Sequence, residues 1–156
     1  MRDGVEHLAQ ADLVATGVAR VAARAGSRAC IVELLTRENA ARQAKLGLWA
    51  DPYYDLLSAD SPADVLAEQG HFAVVDGKVV SVRERGATIC VNFGRRWTED
   101  FTVTISKRNE RSFAAAGLEP KKLAGRRVRV RGWIEERGGP WIEAVRPEQI
   151  EFADQE

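Results

Sequence analysis

A segment near the C-terminus, residues 126–134, alternates cationic and apolar side chains. Successive side chains of a β-strand point to opposite faces, so a strand here would place its valines on one face and its other residues on the second. The residues of that second face are Arg127, Arg129, Arg131 and Trp133. Guanidinium groups beside a flat ring are what a chain of phosphates and stacking bases requires. The pattern therefore predicts nucleic-acid contact, unless each arginine pairs with a carboxylate on a solvated face.

Further cations and aromatic residues could extend this surface. They are Arg95, Arg96 and Trp97 in one loop, Lys107, Arg108 and Arg111 after a predicted strand, and Arg137 and Trp141 on either side of a glycine-rich turn. A structural alternative stands beside each group. The tryptophans could cover the ends of a barrel or pin a hairpin, and Arg95 and Arg96 could pair with Glu99 and Asp100. We predict weak, salt-sensitive binding of single-stranded nucleic acid with little base preference.

The charge distribution supports a local basic surface, although the 156-residue chain has a net charge of zero. Residues 78–131 carry +9, from 14 basic and 5 acidic residues, while residues 132–156 carry −5, from 2 basic and 7 acidic residues. Attraction to phosphate is local, because salt screens charges beyond about 8–10 Å. The acidic C-terminal segment could equally neutralise the basic block within the fold.

The hydrophobic pattern predicts an α+β chain with a change of period near residue 70. Residues 6–16 and 27–46 predict two helices, the second capped by Ser27 and ended by Gly47, with Leu48 and Trp49 folding back. The predicted organisation is a helical pair over residues 1–50, a connector over 51–70 with at most a short helix such as 62–69, and a β-domain over 71–156.

Residues 72–152 have the element order of an OB-fold, a five-stranded barrel with a helix between its third and fourth strands. The pattern predicts strands over residues 74–82, with a bend at Asp76 and Gly77, and over 88–93 and 100–106. A helix over 109–116 and the strands 125–134 and 141–144 follow, and 147–152 closes the sheet. Residues 123–125 and 128–132 after the predicted helix are similar to nucleic-acid-binding members of that fold.

Residues 8–49 resemble the C-terminal third of the thermonuclease (staphylococcal-nuclease-like) family. The resemblance is carried by residues 13–21, 33–35, Glu38, 41–42 and 47–49. The resemblance implies a bacterial helical pair that packs on the nuclease barrel. The family's calcium-binding aspartates, general-base glutamate and phosphate-clamping arginines precede that pair, so none maps onto this chain. The resemblance thus implies a remnant without catalytic residues; a fragment of a metal-dependent phosphodiesterase and a protein-interaction scaffold are the alternatives.

Other kinds of site are not indicated by the sequence. Cys30, Cys90 and the two histidines match no zinc-ligand spacing, and the aspartates of residues 51–64 lack the glycine of a calcium loop. We therefore expect no metal and no cofactor. No signal peptide precedes the first polar residues and no apolar run reaches the roughly 18 residues of a membrane span, so we expect a cytoplasmic protein without membrane contact. The apolar helical stripe needs a cover, either the β-domain or a second copy in a homodimer.

Overall fold

The computed structural model describes residues 13–17, 19–23, 28–51, 56–96 and 98–154. They divide into two units, with the boundary between Asp55 and Leu56. The first unit is helical and the second consists mainly of β-strands, so the mixed α+β class is confirmed. Among these residues, no helix combines the length and apolar character needed to cross a lipid bilayer.

The first unit contains helix α1 (Arg28–Gln43) and a 3₁₀ helix (Gly47–Ala50). Ile31 and Leu35 of α1 are buried, and the buried carboxylate of Glu38 accepts a 2.6 Å hydrogen bond from the backbone N–H of Val21. Residues 13–15 are helical and Thr16 lies in a turn, so the helix ends one residue before the predicted bound; residues 6–12 lie outside the described residues, as does Ser27.

The end of α1 differs from the prediction. The helix stops at Gln43 instead of Leu46, because Lys45 takes a left-handed conformation (φ 53°) and the Leu46 N–H bonds the Ala41 carbonyl at 3.0 Å. Gly47 therefore follows the cap and does not form it. The predicted return of Trp49 is confirmed, since only 2% of this side chain is exposed.

The second unit contains two sheets. The four-stranded sheet has the order β1 (Leu57–Ser58), β2 (Phe72–Lys78), β6 (Arg127–Trp133), β9 (Ile150–Phe152). The five-stranded sheet has the order β3 (Ser81–Arg85), β4 (Thr88–Asn92), β5 (Thr102–Ser106), β8 (Gly139–Glu143), β7 (Glu135–Arg137). The helices are α2 (Pro62–Leu66) and α3 (Glu110–Ala115). The predicted single closed barrel is thus not formed by the hydrogen bonds between the described strands.

The chain changes sheets between β2 and β3, which were predicted as one strand. The Val79 N–H bonds the Arg126 carbonyl next to β6, whereas the Val80 N–H bonds the Asn92 carbonyl of β4. The break therefore falls at residues 79–80 and not at the predicted Asp76 and Gly77. Gly77 has a packing role instead, because a Cβ atom there would collide with the Cβ of Ala59.

The core lies between the two sheets and confirms the alternation read from the sequence. Ile89 and Val91 of β4, and Val103 and Ile105 of β5, are at most 1% exposed. The segment predicted as a connector contributes to this core, since Val65 of α2 is fully buried. Part of the predicted linker, from residue 56 on, therefore belongs to the second unit.

Candidate functional site

The arginine strand β6 does not present the cationic face that its sequence predicts. Arg129 and Arg131 are only 4% and 1% exposed, and Nη2 of Arg131 lies 2.8 Å from Oε1 of Glu151. β6 is an interior strand between β2 and β9. The Gln149 side chain, in the turn that precedes β9, donates a hydrogen bond to the Arg131 carbonyl. The prediction of an exposed face is wrong because later chain segments cover it. Arg127 is exposed, but it forms an ion pair with Asp76.

The other predicted cations are dispersed. Arg96 is engaged with Asp100 through its backbone N–H at 2.9 Å and with Glu99 through its guanidinium at 3.5 Å. Lys107 forms an ion pair with Glu84 at 2.9 Å. Trp97 lies outside the described residues. The exposed predicted residues that remain are Arg95, Arg108, Arg111, Trp133 and Arg137.

The outer face of the five-stranded sheet forms a groove of about 640 Å³, which we call the polar groove. Because side chains alternate along each strand, the face opposite the core collects every second residue of neighbouring strands. The lining residues are Arg83, Glu84, Arg85, Thr88, Cys90, Asn92, Thr102, Thr104, Arg137 and Trp141. The groove thus brings together two predicted residues, Arg137 and Trp141, with eight that were not predicted as a site.

Polar side chains form the floor of the groove. The strand register places Ser81 opposite Asn92 and Asn92 opposite Thr102. The Asn92 amide donates to Ser81 Oγ at 3.3 Å, and the Thr102 hydroxyl donates to Asn92 Oδ1 at 3.5 Å. These bonds orient groups that can both donate and accept hydrogen bonds along the floor.

One wall consists of Trp141 and Arg137. The Trp141 indole is 4% exposed, and its Nε1 donates to Thr104 Oγ1 of the neighbouring strand at 2.7 Å. The guanidinium carbon of Arg137 lies 3.5 Å from the centre of the indole ring, in van der Waals contact. The exposed guanidinium therefore covers the ring on the groove side.

The opposite wall belongs to β3, where Arg83 and Arg85 alternate with Glu84. The Glu84 carboxylate binds Lys107 at 2.9 Å and Lys121 at 3.1 Å. The hydrogen bond from Lys107, followed by that from Lys121, lowers the pKa of Glu84, while Glu84 raises the pKa of Lys121. The two ammonium groups outweigh the single carboxylate of this wall.

Two arginines of this region have no carboxylate partner within the described part of the chain. Arg83 lines the polar groove, and it also lines a smaller adjoining cavity together with Arg95. The sequence contained a signal for the β3 wall. Arg83 and Arg85 are two residues apart, so they lie on the same face of a strand, as the arginines of β6 do. The participation of Thr104 depends on strand pairing between distant segments, which alternation alone does not give.

No group of three or more His, Cys, Asp or Glu side chains within the described ranges could hold a metal ion. Cys90 lines the polar groove and is paired with Arg83 of the neighbouring strand.

Comparison with solved structures gives distant likenesses. An aspartyl-tRNA synthetase chain from Leishmania major Friedlin is 6% identical with a TM-score of 0.45, over 65% of this chain and 21% of that one. Aspartyl-tRNA synthetase from Entamoeba histolytica is 11% identical with a TM-score of 0.44, over 66% and 22%. An OBody bound to hen egg-white lysozyme is 18% identical with a TM-score of 0.42, over 59% and 88%. The chain thus spans about a fifth of the two synthetases.

No protein-family model matches the sequence, and no curated protein matches it. The resemblance of residues 8–49 to thermonucleases stays a prediction, as does the pairing of the first unit with a second copy.

Proposed function

We propose that the second unit binds single-stranded nucleic acid in the polar groove. The observation that carries the proposal is the convergence of Arg83 and Arg137 on a groove with a hydroxyl- and amide-lined floor. Neither guanidinium is in an ion pair with a described carboxylate. A cation without an internal partner keeps its charge available for an external anion, and phosphate binding by arginine is bidentate and strong.

The two walls have different chemistry. Arg83 and Arg85 on β3, together with Arg95 beside the groove, offer a cationic edge for phosphates. The stacked Arg137 and Trp141 on the opposite wall offer a flat surface for a base. Three sheet spacings of about 4.8 Å separate β3 from β8, roughly 14 Å between the strand backbones.

The floor suits binding with little base preference. Hydroxyl and amide groups, as at Asn92 and Thr102, donate and accept hydrogen bonds, so they can pair with the edges of different bases. Stacking is also tolerant of sequence, because every base has a flat face. The surface is therefore suited to unpaired strands and lacks the fixed donor pattern of a base-specific reader.

The test is a fluorescence-anisotropy titration with a labelled mixed-sequence oligonucleotide. A length of about 12 nucleotides lies within the roughly 4–16 nucleotides that a single OB-fold domain covers. We expect saturable binding that weakens as salt increases. Arg83→Ala should weaken binding by about 1–2 kcal/mol and reduce the slope of log K against log salt by about 0.7. Arg111→Ala is the matched control, since Arg111 is exposed on α3 and does not line the groove.

Two outcomes would contradict the proposal. One is a folded wild-type protein that does not bind the oligonucleotide at the lowest salt concentration. The other is binding that Arg83→Ala and Arg111→Ala weaken equally, because the charge would then act from anywhere on the surface.

A further inference from the structure

The tryptophan of the polar groove is not itself accessible to a base. Trp141 is 4% exposed, and the Arg137 guanidinium lies 3.5 Å above the centre of its ring on the groove side. The indole N–H is already used in its 2.7 Å bond to Thr104. A base that entered the groove would therefore meet the outer face of the guanidinium and not the indole.

The backbone also fixes the position of Arg137. This residue ends β7 and pairs with Gly139, the first residue of β8. The turn at Gly138 (φ 80°) packs so tightly that a Cβ at Gly139 would lie 2.5 Å from the Glu99 carbonyl oxygen. The Arg137 guanidinium is thus in contact with Trp141, and its backbone adjoins a tightly packed turn, which reduces the entropy lost when a ligand binds.

We propose that Arg137 is the base-stacking residue of the groove and that Trp141 is the positioning residue that holds it flat. This inference rests on the proposed function of the groove. A guanidinium is planar and weakly hydrated, and it stacks on bases as aromatic rings do, whereas an ammonium group does not. In this arrangement the guanidinium of Arg83, on the opposite wall, contacts the phosphates of the ligand.

The assignment separates two roles that an arginine can have. If Arg137 stacks on a base, its flat shape is essential and lysine cannot replace it. If Arg137 only attracts phosphate, lysine preserves most of the binding. Comparing arginine with lysine at this position, with and without bases on the ligand, therefore isolates the stacking contribution.

The experiment measures the affinity of wild type, Arg137→Lys and Arg137→Met for two labelled oligonucleotides of equal length, one with bases and one abasic throughout. We expect wild type to bind the base-bearing strand roughly tenfold more tightly, within the range for stacking on one flat side chain. Arg137→Lys and Arg137→Met should both lose most of this preference, while only Arg137→Met also reduces the salt dependence of binding. Arg83→Lys is the control that should keep the base preference. Near-ultraviolet circular dichroism, which reports the packing of the aromatic residues including Trp141, checks that each variant is folded.

A tenfold base preference that persists in Arg137→Lys would overturn the stacking assignment while leaving the proposed function intact. Equal affinity of wild type for the two strands would overturn it as well. If wild type bound neither strand at low salt, the proposed function itself would fail. Because Arg137 is exposed, Arg137→Lys and Arg137→Met remove its planar guanidinium without opening a buried cavity.

Discussion

Arg131 and Glu151 form an ion pair across neighbouring strands, with 2.8 Å between Nη2 and Oε1 and only 1% of the arginine side chain exposed. Removing a guanidinium from water costs several kcal/mol unless an opposite charge and hydrogen bonds compensate. The acidic segment at the end of the chain therefore has a structural role, because it neutralises a cation buried by the fold.

We predict that Glu151→Ala lowers the free energy of unfolding by about 3–5 kcal/mol, the range seen when one partner of a buried ion pair is removed. Urea unfolding monitored by circular dichroism would measure this loss. Glu136→Ala is the control, because Glu136 is exposed on the edge strand β7 and should change stability by less than about 0.5 kcal/mol. A loss as small as that of the control would show that Arg131 is stabilised by other contacts.

Trp133 belongs to the four-stranded sheet, so we predict that Trp133→Ala leaves oligonucleotide affinity within about twofold of wild type. The ring is 43% exposed and meets Phe72 edge to face, with 5.2 Å between the ring centres. Its loss should cost stability of about 1 kcal/mol. Anisotropy titration of this variant and of Arg137→Met would show which of the two sheets contributes to oligonucleotide affinity. A larger loss of affinity in Trp133→Ala would indicate that strand β6, and not the polar groove, contains the binding site.

The pKa of the Glu84 carboxyl lies below its ordinary value of 4.5 because Lys107, and then Lys121, donate hydrogen bonds to its ionised form. The stability that this carboxylate contributes is therefore present above pH 4.5 and is lost as the pH falls through the lower folded pKa. We predict that Lys107→Met raises the pKa of Glu84 more than Lys121→Met does. NMR titration of the side-chain carboxyl carbon would measure both values. A Glu84 carboxyl that titrates at its ordinary value in wild type would show that neither lysine holds it.

Gly139 packs against the chain before β5, and we predict that Gly139→Ala destabilises the protein by about 1–3 kcal/mol and weakens base-dependent binding. The added methyl group would lie 2.5 Å from the Glu99 carbonyl oxygen, a backbone atom that cannot rotate away. Gly70→Ala is the control, because its left-handed backbone (φ 82°) has open space around it and should cost about 1 kcal/mol. Thermal unfolding and the titration with base-bearing and abasic strands would measure both effects. Equal losses in the two variants would argue against tight packing at this turn.

The sequence predicted strands and their inward residues well, because alternation reports directly on which side is apolar. Ile89 and Val103 are apolar residues that alternate with more polar ones in the predicted strands 88–93 and 100–106, and both are fully buried. The same reasoning failed for Arg129 and Arg131, since alternation separates two faces without saying that the polar one meets water. A later segment covers that face and supplies Glu151.

The candidate site was predictable only in part. Arg137 and Trp141 were identified as a cation and an aromatic residue on either side of a glycine-rich turn. Arg83 and Thr104 join them through the register of four strands, including a parallel pairing of β5 with β8. Local periodicity contains no information on that pairing, so the residues that line the groove could be identified only from the structure.

The parallel pairing of β5 with β8 joins segments that are synthesised far apart, since Thr104 precedes Trp141 by 37 residues. A nascent chain contains strand β3, with Arg83, long before the hairpin of β7 and β8 that carries Arg137 and Trp141. We expect ligand capture to arise only when the final hairpin has left the ribosome and docked. Incomplete translation products would then be unable to compete with the finished protein for its ligand.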